Sequence, residues 1–167
     1  MRFMPAAVAL SLLVAVTSSV SYGAAREADP RAVALLTEGR QALSMGDTQG
    51  AIDSFEAALT VDPGYTDIYL DLAEAARQQG LQGKAIKYYR EALEREPGNL
   101  AAISGEGAAL VEKGAVEKAR RNLSRLQSLC GTGCTEARQL AAAIEQGPQS
   151  PVMTAEAGTI DPLVITN

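Results

Sequence analysis

The chain of 167 residues contains no histidine. That absence removes the commonest general base, every Ser-His or Cys-His nucleophile and most zinc sites. Carboxylates can do acid-base work alone, but Asp53, Glu56, Asp67, Asp71, Glu74, Glu91, Glu94 and Glu96 fall at helix-surface spacings, as solvated faces do. No paired-acid site is visible, so the expectation is a non-enzymatic protein with no catalytic residue, cofactor or metal. Positive charge is also scarce: 15 Lys and Arg face 20 Asp and Glu, a net of −5. Nucleic acid is therefore not an expected partner.

Long apolar runs are missing, with one exception near the start. Arg2 precedes an apolar stretch over 6–16, and Ser-Tyr-Gly-Ala-Ala at 21–25 offers small residues to a peptidase. The apolar part is shorter than the about 20 residues that an ordinary transmembrane helix needs, and the arrangement predicts a secretory signal peptide over 1–25. Cleavage after Gly23 or Ala25 both fit; an uncleaved anchor is the competing reading. Removing the leader takes away Arg2 and leaves 14 basic against 20 acidic residues, a net of −6. The mature chain is expected to be exported, without a membrane span, and periplasmic.

What the chain has in abundance is repetition. Ala51, Ala85 and Ala119 are 34 apart, and the same residue types recur around each. Gly39, Ala73 and Gly107 precede them by twelve, and Gly46, Gly80 and Gly114 by five. Phe55, Tyr89 and Leu123 follow by four; Ala58, Ala92 and Leu126 by seven; Pro63, Pro97 and Gly131 by twelve. Small residues at the first and third of these positions let two helices approach closely. The glycine five before ends the first helix, the aromatic fills the gap, and proline stops the second helix. Each unit is a helical hairpin.

This pattern resembles the tetratricopeptide repeat (TPR). Residues 32–65 and 66–99 meet it nearly in full, and 100–131 more weakly, because Leu123, Leu126 and Gly131 replace the aromatic, the alanine and the proline. The resemblance implies an all-α, right-handed superhelical solenoid of three hairpins within a domain over 32–146. Ala137, Leu140, Ala141 and Ile144 share one face of a segment at 135–146, which reads as the capping helix that the end of a solenoid requires. Glu38 and Glu106 stand where the family favours leucine, so those two positions are expected to be less buried than usual. From Gly147 to Asn167 periodicity stops and prolines recur, which predicts a disordered tail, with an apolar stretch at 162–166 able to dock.

Cys130 and Cys134 lie in Cys-Gly-Thr-Gly-Cys between the third unit and the cap. In an exported protein such a pair reads first as a disulfide. A small thiol-redox or metal-handling protein is the alternative, against which stand the Cys-x-x-x-Cys spacing and the missing histidine. Two local matches mislead: Gly105-Glu-Gly107 has no preceding strand to make a phosphate loop, and Asn122-Leu-Ser124 lies mid-helix.

By the resemblance, the first helices of the hairpins build a concave groove. Its peptide-binding residues are expected to be Leu36, Arg40, Leu43, Leu70, Glu74, Arg77 and Val111. Family members that hold chaperone carboxyl termini use a clamp of Lys, Asn and Arg, where this chain has Leu36, Arg40, Asp71, Ala101 and Gly105; that ligand class is not expected. A mixed wall of aliphatic residues and alternating charges suits an amphipathic helix or extended peptide. The second helices run from acidic (Asp47, Asp53, Glu56) to basic (Lys118, Arg121, Arg125), which allows self-association through end faces. The function this implies is an exported adaptor or assembly factor for another cell-envelope protein.

Overall fold

The computed structural model describes residues 27–148. The leader expected over 1–25 and most of the tail expected over 147–167 lie outside the described residues. Within them the chain forms seven helices and no strand: α1 (Pro30–Ser44), α2 (Thr48–Val61), α3 (Thr66–Gln78), α4 (Gln82–Arg95), α5 (Leu100–Glu112), α6 (Val116–Cys130) and α7 (Thr135–Gln146).

The 34-residue period is a period of turns. Gly46, Gly80 and Gly114 have φ of +84°, +72° and +82°, a left-handed conformation that a Cβ disfavours. At each, the glycine N–H donates to the carbonyl three back (Leu43, Arg77, Val111). The next N–H donates to the carbonyl five back, from Asp47 to Ala42, Leu81 to Ala76 and Ala115 to Leu110, at 3.0, 2.9 and 2.7 Å. These are three copies of the Schellman stop, and each folds a first helix back against a second. Asp29, Asp47 and Asn99 cap α1, α2 and α5 by accepting from Arg31, Gly50 and Ala102 N–H groups at 2.8, 2.9 and 2.9 Å. Between hairpins the buried Asp62 carboxylate accepts from the N–H groups of Gly64 and Asp29, both at 3.1 Å.

The stack has two unequal sides. Helices α1, α3, α5 and α7 each touch the next odd-numbered helix, whereas α2, α4 and α6 touch only odd-numbered ones. Close approach on one side and separation on the other curve the array, with the odd helices on the inner face. Small residues set the close approaches: a Cβ on Gly39 would overlap the ring of Phe55 within the first hairpin, and one on Gly107 of α5 would run into the Leu140 side chain of α7. The core follows as two clusters, one around Phe55, Leu36, Ile68 and Leu72, the other around Tyr89, Ile103, Leu126 and Leu140; Leu59 and Tyr88 pack against both.

Helix α7 caps the array as its pattern predicts, with Ala137 and Leu140 buried and Arg138, Gln139, Ala142 and Glu145 exposed. One expectation is corrected. Glu38 is exposed, but Glu106 is only 7% exposed. It is buried because it has partners: Arg90 donates to it at 2.8 Å and Asn122 at 3.0 Å, which satisfies a carboxylate that would otherwise be costly inside. The same contact gives Asn122 a structural role within α6.

Candidate functional site

Two connected clefts open between α3, α5 and α7 on the inner face. One, of about 500 Å³, is lined by Glu74, Gln78, Gln82, Val111, Glu112 and Gln146 among others. The second, of about 400 Å³, is lined by Ala101, Ser104, Gly105, Glu136 and Gln139. Arg77, Ala108 and Ala143 border both. The small side chains of Ala108 and Ala143 floor the shared part, with Glu74, Arg77 and Glu112 half-buried beside them.

Arg77 occupies the middle of the site and is already engaged. Its Nη1 donates to Glu74 at 2.9 Å, its Nε to Glu112 at 3.3 Å, and its Nη2 to the other oxygen of Glu112. Burial works against the guanidinium charge, but the Glu112 hydrogen bond and the charge of Glu74 outweigh it and hold the group above its ordinary pKa. The Tyr89 phenol reaches the same place. Its ring fills the position where a side chain at Gly105 would stand, and burial pushes its hydroxyl up to about 12 while Arg77 pulls the other way. Gly105 thus admits Tyr89 from α4 into the gap between α3 and α5.

A second ion group lies toward the amino-terminal end. Arg40 donates from α1 to Asp71 at 2.8 Å and lies 3.7 Å from Asp67. Burial raises Asp71 above the usual carboxylate range, with Arg40 opposing.

The expected groove residues divide. Glu74, Arg77 and Val111 line the larger cleft; Leu36, Arg40, Leu43 and Leu70 line neither. Leu36 is corrected outright: at 1% exposure it belongs to the Phe55 cluster, inaccessible to a ligand, because α2 and α3 both close over α1. Leu43 and Leu70 are half-buried and pack against the cores. Of the charges expected along the wall, Arg40 and Arg77 are each held between two carboxylates.

What the sequence reading missed is α7 as a wall. Glu136, Gln139, Ala143, Gln146 and Gly147 follow Ala101, Ser104, Ala108, Val111 and Glu112 by 35 residues each. This is the repeat period with one residue added, and it makes α7 the first helix of a fourth, half unit. Among the described residues no group of three or more acidic or cysteine side chains is placed to hold a metal, and no helix is long and apolar enough to cross a membrane. Cys130 and Cys134 bracket the turn into α7, with sulfurs brought together and Cα atoms 5.9 Å apart.

Residues 36–99 match the family model of the tetratricopeptide repeat. Tetratricopeptide repeat protein 34 of Homo sapiens is 30% identical over an alignment covering 81% of this chain and 26% of that protein. The chain therefore spans about a quarter of that relative's length. Among solved structures, the first TPR of Spaghetti (RPAP3), bound to the HSP90 peptide SRMEEVD, is similar with a TM-score of 0.63 at 22% identity, over 70% of this chain and 91% of that one. The TPR2B domain of yeast Sti1, in complex with pHsp70, has a TM-score of 0.63 at 19% identity, over 71% and 98%. At these identities the likeness is one of fold.

Proposed function

The chain belongs to the tetratricopeptide-repeat family, and from that premise we propose that it is a protein-interaction module whose working surface is the inner face of α3, α5 and α7. The observation that carries this reading is the pair of connected clefts of about 500 and 400 Å³ that these helices share. Solved relatives of the same fold hold peptides of partner proteins. The floor of small side chains gives a helix or an extended strand room to lie close to the wall. The acidic chaperone termini of those relatives are not its ligand: Gly105 is filled by Tyr89, Leu36 is buried and Arg40 is committed to Asp71.

In the same proposal the protein is an exported adaptor or assembly factor for another cell-envelope protein. The support is the basic start, short apolar run and small-residue site over 1–25. Cys130 and Cys134 form a structural disulfide in that compartment, one that fixes the turn into α7.

Ala108 is half-buried on the floor and borders both clefts, so Ala108→Arg should block them without touching either core cluster. Affinity capture from an envelope extract should lose the wild-type partner with this variant, by about tenfold or more as at an interface anchor. Its far-ultraviolet circular dichroism should stay unchanged. Undiminished capture would place the working surface elsewhere.

A further inference from the structure

We infer that the groove of α3, α5 and α7 selects a cationic partner segment, one carrying Lys or Arg among small and apolar residues. This rests on the proposed use of the inner face for binding and adds the chemistry of what binds there.

The charged residues that line the two clefts are Glu74, Glu112 and Glu136, against Arg77. Three carboxylates and one guanidinium leave an excess of two negative charges. Arg77, and Arg40 beyond the clefts, are both already paired with carboxylates. Arg77 spends Nε, Nη1 and Nη2 on Glu74 and Glu112, and Arg40 is drawn to Asp71 and Asp67. Lys113, just past the end of α5, and Arg138 on α7 line neither cleft.

What the site offers an incoming segment is therefore acceptors. Each carboxylate has more lone pairs than one shared guanidinium uses, and Glu136 stands at the rim in no ion pair. The small side chains of Ser104, Gly105, Ala108 and Ala143 leave room for a partner's backbone to lie beside these carboxylates. Such charge complementarity steers encounter and rejects like-charged competitors.

The chain's own tail is the wrong occupant. Residues 149–167 contain Glu156 and Asp161 and no Lys or Arg, so they share the sign of the wall.

The test uses two probe peptides of equal length and order, one of Ala, Leu and Lys, the other with Glu in place of every Lys. Each is titrated into the isotope-labelled full chain while backbone amide shifts are read. The Lys peptide should move the amides of Ala108, Val111, Ala143 and Gln146, with an affinity that falls as salt is added. Glu136→Lys should weaken it about tenfold or more, since like charges across an interface cost several kcal/mol. That side chain makes no ion pair, so the fold should be intact by circular dichroism. Movement of those amides by the Glu peptide alone would overturn the cationic inference while leaving the groove reading in place. A Lys peptide that shifts only amides elsewhere, or none, would also overturn it; the groove reading then stands or falls on Ala108→Arg.

Discussion

Gly39 and Gly107 occupy the same position in two repeats, yet they respond to different neighbours. A Cβ on Gly39 would overlap the aromatic ring of Phe55, which is 0% exposed and held by the cluster of Leu36, Ile68 and Leu72. A rigid ring cannot turn away within that packing, so α2 itself must move. At Gly107 the obstacle is the methyl end of Leu140 on α7, and a flexible leucine can change rotamer. Replacing a helical glycine by alanine also gains about 1 kcal/mol in propensity. That gain offsets a small rearrangement but not overpacking, which costs about 1–3 kcal/mol. Gly39→Ala should therefore lose stability on denaturant melting, and Gly107→Ala should remain within about 1 kcal/mol of the wild type. Equal stability for Gly39→Ala and the wild type would mean that Phe55 is not locked against α1.

At the scale of elements, the seven helices and their three glycine stops were legible because each rests on local chemistry repeated at a fixed interval. The fourth inner helix was half legible. Its buried face showed, since Ala137 and Leu140 keep helical spacing, but its groove face did not, because the turn at 130–134 shifts the period from 34 to 35. The ion pairs were not legible for a different reason. Arg77 meets Glu112 across 35 residues and Arg40 meets Asp71 across 31, and only stacking decides which acid faces which base. Glu106 was misread in the same way, its partners being Arg90 and Asn122. The turn that shifts the period is also where Cys130 and Cys134 stand. The proposed disulfide should lower the intact mass of the exported protein by two hydrogens without reductant. Because the loop it closes is short, Cys130→Ser with Cys134→Ser should cost only about 2 kcal/mol. Free thiols in the exported chain would count against the disulfide and favour the redox alternative.

Across the whole molecule each helix is supported by its neighbours in the stack, so stability is close to a sum of local terms and the ends are its weakest points. The two ends are not alike. Among the described residues α1 touches only α2 and α3, and it leaves Val33 at 40% exposure, with Met45 just past its end at 71%. At the other end α7 lies over α5 and α6, buries Ala137 and Leu140, and turns Arg138 and Glu145 to solvent. The centre, α3 to α5, is packed on both sides, and Leu59 and Tyr88 join the two core clusters there. Local opening should follow that order, because amides exchange at the free energy of the smallest unit that must open to expose them. Hydrogen exchange should be slowest in α3, α4 and α5 and fastest in α1, with α6 and α7 between. A ligand seated among α3, α5 and α7 would slow exchange in those helices by mass action, while α1, which lines neither cleft, would keep its rate. Uniform protection from α1 to α7, with or without ligand, would show instead that the array opens as one cooperative unit.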